Sequence, residues 1–298
     1  MDQQLKPHRS LQEQVEILRS RGLQIDDVAS AEQLLFNVNY YRITGYLHAF
    51  KIKGTDQYMP GTTLAKIKSL YDFDRKFTRI LMYALEDIEE TLKTRISYTL
   101  TSTFPDDPLI YLNSEIYRRY DEYARFVAHF NREVQNNRNL PFIKHHIEKY
   151  DGKLPCWVAV EVMTMGNLHG IYKNLLAPLQ KKIAKTYNTG PNQLSSWIQN
   201  LTFTRNHLAH YMRIYDFNFG RTPVQCNRHH QYKKASGYIF DQIYIMSFLH
   251  SSPEEWNNYI LPEMGKLLNE YSKDVQLDHL GFPENWTDIL RIDSSNNK

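Results

Sequence analysis

Apolar positions recur at three- and four-residue spacing along nearly the whole chain, the signature of helices with one buried face. The longest run extends from Thr63 to about Thr101. In it Ile67, Leu70, Tyr71, Phe73, Phe77, Leu81, Leu85, Ile88, Leu92 and Ile96 form one stripe, and Pro105 and Pro108 end it. Upstream, Ser10-Leu11-Gln12-Glu13 has the form of a capping box, with the Ser hydroxyl accepting an early helix N–H while Glu13 reaches back. It opens a short helix that sets Val15, Ile17 and Leu18 against Glu13, Glu16 and Arg19 and stops at Gly22. Ser30 is expected to cap a second helix carrying Leu34, Leu35 and Val38, followed by the aromatic patch Asn39–Tyr46.

Beyond the prolines, a charged helix is predicted over about 114–136, then a short one after Pro141. Leu154-Pro155-Cys156-Trp157 starts an apolar helix that Gly166 is expected to interrupt. Pro191-Asn192-Gln193 opens the next helix, and 220–237 reads as a polar loop rich in His, Lys and Arg. Two helices follow, the second entered by Ser252-Pro253-Glu254-Glu255 with proline in its first turn. The tail from Ile292 is expected to be loose. Alternating strand patterns are nearly absent, so the fold class is all-α. The expected organisation is an N-terminal helical module, 1–60, and a helical domain, 61–298.

Composition narrows the function classes only modestly. A net charge of +3 and a pI near 8.6 are mildly basic, so any contact with nucleic acid should be local. The 21 tyrosines and 14 phenylalanines fill a core first and can stack on unpaired bases second. Two cysteines, Cys156 and Cys226, make neither a disulfide framework nor a four-ligand zinc set. The first residues lack the apolar core of a signal peptide, and no apolar run approaches the ~20 residues of a membrane helix. The expectation is a cytoplasmic protein without a membrane segment.

Four blocks and a closing segment carry a resemblance. They are Leu11–Phe50 with NVNYYRITGYLHAF, Leu70–Tyr98 (LYDFDRKFTRILMYALEDIEETLKTRISY), Leu154–Tyr172 (LPCWVAVEVMTMGNLHGIY) and Trp197–Tyr215 (WIQNLTFTRNHLAHYMRIY), with Gly281-Phe282-Pro283-Glu284-Asn285-Trp286 at the end. Together they resemble the Abi-like (abortive infection, AbiD/AbiF type) family. That resemblance implies a HEPN-type helical bundle in the 61–298 domain, a phage-defence or toxin-like role, and metal-independent endoribonuclease activity without a cofactor. It implies RNA as partner and a homodimer as the working form. The family's Arg-x4-His motif falls on Arg205, Asn206 and His210. Where many relatives have two adjacent histidines this chain has His210-Tyr211, and where a tryptophan often follows it has Tyr215.

Those residue types suit the implied chemistry. RNA supplies its own nucleophile, the 2′-OH, so a nuclease needs a proton acceptor, a proton donor and charge stabilisation at the phosphate. A histidine titrating near neutrality serves both proton transfers, and a planar, permanently charged arginine holds two phosphoryl oxygens. Asn206 would orient the histidine or the phosphate, and the products would be a 2′,3′-cyclic phosphate and a 5′-OH.

At about 100° per residue, Asn206, His210 and Arg213 fall within about 60° of one another on one straight helix. Arg205 lies about 140° from His210, beside the stripe of Ile198, Leu201, Leu208 and Met212. Either the helix bends near the motif, or facing helices of a symmetric dimer pool their residues; the family favours the second. A structural reading instead pairs Arg205 with Glu86 or Glu89.

Arg213, Tyr211, Arg221, Arg228, Lys233 and Lys234 are the candidate RNA-binding residues, the last four on a loop that would funnel a phosphate backbone. Asn39–Tyr46 would bind a base or dock the N-terminal helices on the main body. His207 and His210 are three apart, a spacing that could share a metal, but no carboxylate lies near on that face, and Cys226 with His229 and His230 has no zinc-finger spacing. His145-His146 reads as solvated, and Cys156 has no activating neighbour. Two further readings remain open: a non-catalytic RNA-binding protein acting with a bound noncoding RNA in phage defence or toxin–antitoxin control, and a module that binds only protein.

Overall fold

The computed structural model describes residues 7–224, 232 and 235–293. Among these the chain is all-α, with no strand and only isolated bridges such as Gln24 with Thr63 and Lys51 with Tyr58. Three short helices lead in: α1 (Leu11–Ser20), α2 (Val28–Asn37) and α3 (Tyr40–Tyr46). The capping box at Ser10 forms as expected. α2 differs, because Asp27 and not Ser30 is its N-cap: the Asp27 carboxylate accepts from the Ser30 N–H at 3.2 Å, which starts the helix three residues earlier.

The axis of the fold is α4 (Leu64–Thr103), 40 residues long and capped by Thr63. Its buried residues Ile67, Leu70, Phe73, Phe77, Leu81, Leu85, Ile88, Leu92 and Ile96 are the stripe legible in the sequence, with Tyr71 only half-buried. A 40-residue helix is stable here because that stripe is covered along its length, by α3 at one end and by later helices above it.

After α4 come α5 (Tyr120–Asn136), α6 (Pro141–Tyr150), the short α7 (Cys156–Ala159), α8 (Met165–Asn174) and α9 (Ala177–Lys185). The break before α8 is set by a capping box, Thr164 with Asn167, and Gly166 sits inside the new helix. Then follow α10 (Pro191–Ala209) and α11 (Ile239–Leu249). α12 (Pro253–Glu255) passes through one π-turn, Trp256–Ile260, into α13 (Leu261–Glu270), and α14 (Trp286–Leu290) closes the described chain. The buried apolar side chains form one connected cluster from Val15 to Leu290. The tail expected to be loose lies mainly in 294–298, outside the described residues. No described helix is long and apolar enough to cross a membrane.

α4 and α10 fix the frame for the motif. Asp74 bonds the backbone at Ile214 and Tyr215, Glu89 meets Arg205, and Arg95 donates to the Thr186 carbonyl. Partners therefore descend the sequence as α4 ascends, so the two helices run antiparallel.

Candidate active site

α10 begins at Pro191 as the sequence implies, but it stops at Ala209, inside the motif. Tyr211 N–H donates to the Leu208 carbonyl at 2.9 Å and Met212 N–H to that of His207 at 3.0 Å. This is a Schellman closure with His210 at the C-cap and Tyr211 in the left-handed region, φ 55°. A glycine adopts that conformation freely, whereas a tyrosine does so at a cost of roughly 1–2 kcal/mol. Other contacts must therefore enforce it.

Three do. Arg42, from α3, donates to the Tyr211 carbonyl. The buried His207 has Nε2 at 2.7 Å from the Arg213 carbonyl; a carbonyl only accepts, so this nitrogen carries the proton. Burial among Phe203, Phe217 and Phe219 holds the His207 pKa below its ordinary value. Third, Asp74 of α4, wholly buried, accepts from Ile214 N–H at 2.7 Å, from Tyr215 N–H at 3.1 Å and from the Tyr46 hydroxyl at 2.8 Å. Burial raises the Asp74 carboxyl to about 6 in spite of those donors.

The turn thus corrects the straight-helix geometry. Asn206 and His210 remain one helical turn apart, linked by His210 N–H to Asn206 O at 3.0 Å, and both side chains are exposed. Arg213 is not on their face: it folds back, donating to the Tyr215 carbonyl at 2.6 Å, 3.9 Å from Asp216. Met212, expected on the apolar stripe, is exposed, because the helix that would have buried it has ended.

Arg205 stays on the helix, with Nε 3.6 Å from Glu89 Oε2, while Glu89 also lies 3.7 Å from Lys93. The pairing expected of a structural arginine is therefore present. Its side chain is still 39% exposed, so the pair is worth about 0–1 kcal/mol and leaves the guanidinium reachable. Within the described chain no hydrogen bond joins Arg205 to His210.

The other candidates separate in the same way. Exposed Arg221 lies over the Phe203 ring at 5.7 Å, while Arg228, Lys233, Lys234, Cys226, His229 and His230 lie outside the described residues. Among the described residues no three of His, Cys, Asp and Glu cluster as metal ligands would. Cys156 is buried, which pushes its thiol up to about 12, far from a reactive thiolate. The aromatic patch at α3 divides its faces: Ile43 and Tyr46 dock on the core, while Tyr41 and Arg42 stay exposed.

Sequence reasoning missed Asp74, and it placed Arg42 only within the patch Asn39–Tyr46, not as a residue that holds the turn. For Asp74 a signal existed. It falls four residues after Leu70 and seven before Leu81, on the apolar stripe, where an unpaired carboxylate is costly. Nothing comparable marked the contact of Arg42 with the Tyr211 carbonyl.

A family model described as Abi-like protein matches residues 33–216, from within α2 to the end of the clamped turn. No curated protein and no solved structure matches the chain significantly. The matched stretch is well over half of the 298 residues and contains Arg42, Asp74, Arg205 and His210. The chain belongs to the Abi-like protein family.

Proposed function

We propose that this protein is a HEPN-type, metal-independent endoribonuclease of the abortive-infection type, with Arg205 and His210 as its catalytic pair and Asn206 in support. Its family membership points to abortive infection, that is, phage defence. The observation that carries the catalytic reading is the C-terminal turn of α10. There an exposed His210, with no side-chain partner among the described residues, stands on a backbone pinned by Arg42, His207 and Asp74. Holding a solvent-facing histidine on an energetically costly turn suits preorganised proton transfer better than it suits packing.

The chemistry follows from the groups. Neutral His210 takes the proton of a ribose 2′-OH as that oxygen attacks the adjoining phosphorus. The P–O5′ bond breaks, an imidazolium returns a proton to the leaving oxygen, and a 2′,3′-cyclic phosphate remains. Arg205 meets the charge that builds on the phosphoryl oxygens, oriented by Glu89.

Base and acid must flank the phosphate from opposite sides, and Arg205 faces α4 while His210 faces solvent. A two-fold dimer solves both problems, because each copy brings one histidine and one arginine to a shared site. Mixing Arg205→Ala with His210→Ala protein is then expected to restore only part of the cleavage that neither has alone, because the mixed dimer keeps one histidine and one arginine at the shared site. A mixture as inactive as its parents, or a strict monomer at micromolar concentration, contradicts the shared site.

The second reading, a non-catalytic RNA-binding protein, draws on Tyr211. Its ring is 70% exposed at the position of the second histidine, where it offers a stacking surface in place of a proton-transfer group.

A further inference from the structure

A cleft of about 810 Å³ opens between α3, α4 and the end of α10, lined by Arg42, Arg75, Arg79, Tyr71 and Tyr211 among others. That volume lies in the upper part of the roughly 300–1,000 Å³ range of sites that take a whole small ligand. Its charge is unusual for a chain of net charge only +3. Arg75 and Arg79 are exposed and have no carboxylate partner among the described residues. Of the nearest acids, Asp72 pairs with Lys68, and Asp74 is buried with its oxygens taken by Tyr46, Ile214 and Tyr215.

Three guanidiniums outweigh the partial negative charge of about 0.5 at the end of α10, whose last carbonyls are in any case satisfied by the closing turn. The aromatic element is built in as well. Arg75 rests 5.7 Å from the Tyr71 ring centre, and the exposed Tyr211, next in the chain to His210, also lines the cleft.

We propose that this cleft is the path of a single-stranded RNA, with Arg75 and Arg79 holding consecutive phosphates, Arg42 a third, and Tyr211 stacking an unpaired base next to His210. This deepens the ribonuclease reading and rests on it for the identity of the ligand. Arg75 and Arg79 are four residues apart on one helix face, about 6 Å along the axis, on the order of one nucleotide step of an extended strand. Planar, bidentate donors suit phosphates held in fixed register. A base reaches the Tyr211 ring only when unpaired, which favours a single strand over a duplex. Arg42 has a double duty, since it also fixes the Tyr211 carbonyl, so a bound phosphate would meet the same turn that presents His210.

The test measures binding directly, in the full chain carrying His210→Ala so that no substrate is consumed. A fluorescent ten-residue oligouridine and a duplex RNA of equal length serve as probes, each titrated across a salt series. Arg75→Gln with Arg79→Gln is expected to weaken oligouridine binding at least about tenfold and to lower the salt slope by about 1.4, the loss of two phosphate contacts to a single strand. Both side chains are exposed, so the melting temperature should not move. Tyr211→Asn keeps a residue tolerant of positive φ and removes the ring; it should weaken oligouridine binding and leave the salt slope in place.

Unchanged affinity and slope in the double variant overturn the proposal. So does an equal loss for the duplex with no effect of Tyr211→Asn, which would mean a diffuse anion-attracting surface. The ribonuclease reading fails separately, if His210→Ala still cleaves, and that outcome leaves the binding result readable.

Discussion

His210→Ala is expected to reduce RNA cleavage by about 10²–10⁴-fold, the range for losing a positioned general acid–base group, while RNA affinity stays within about twofold. The side chain is exposed and makes no hydrogen bond among the described residues, so truncation should leave the fold intact. Its backbone N–H to the Asn206 carbonyl is untouched by the substitution, and so is the clamp on residues 211–215. In a two-fold site each copy supplies one proton-transfer group, so a single substitution removes base and acid together. For that reason the loss should sit at the upper end of the range. The readout is a single-turnover cleavage rate beside a binding titration. Loss of rate together with loss of melting temperature would instead assign His210 a structural role.

Asp74→Ala should have the largest effect on stability, about 3 kcal/mol, seen as a fall of roughly 5–10 °C in Tm. Truncation leaves two backbone N–H groups and the Tyr46 hydroxyl buried without an acceptor, each costing about 1–3 kcal/mol. Removing a buried carboxylate gives part of that back, because the folded chain holds its proton more tightly than an unfolded one.

The same fact sets the pH dependence. Asp74 titrates at about 6 when folded against an ordinary 3.8, so its contribution is fully present below about pH 4 and is lost as pH rises through 6. Asp74→Asn, which cannot titrate, should therefore close part of its stability gap to the wild type between pH 4 and pH 6.5. A constant gap across that window would mean that the carboxyl titrates normally. Cleavage should fall in both variants beyond the fraction unfolded, because the turn that presents His210 loses its anchor on α4.

Much of this architecture was legible along the chain. The stripe from Ile67 to Ile96 specified α4, and Pro191 marked the start of α10, because burial of one helix face and the missing proline N–H are local effects. The end of α10 was not legible. No glycine or proline occurs in 210–219, and Tyr211 adopts its left-handed conformation only because Arg42, His207 and Asp74 hold the segment around it. Two of those partners lie more than 100 residues away, and no local propensity encodes them.

That single miss moved Arg213 and Met212 off the faces a continuous helix would give them. It also hid the cleft, since Arg75 and Arg79 look like ordinary solvated positions until α3 and the turn after α10 are set beside them. The candidate residues Arg205, Asn206 and His210 came from a motif, and the contacts around them came only from the fold.

The central claim is tested most directly by incubating purified wild-type protein and His210→Ala with end-labelled single-stranded RNA in excess chelator. A matched oligonucleotide carrying one 2′-deoxyribose at the cut position is run alongside. The expected result is cleavage by the wild type in chelator, ending in a 2′,3′-cyclic phosphate and a 5′-OH, absent with His210→Ala and absent at the deoxy position. Cleavage that stops on chelation, proceeds through the deoxy position or survives His210→Ala would contradict it.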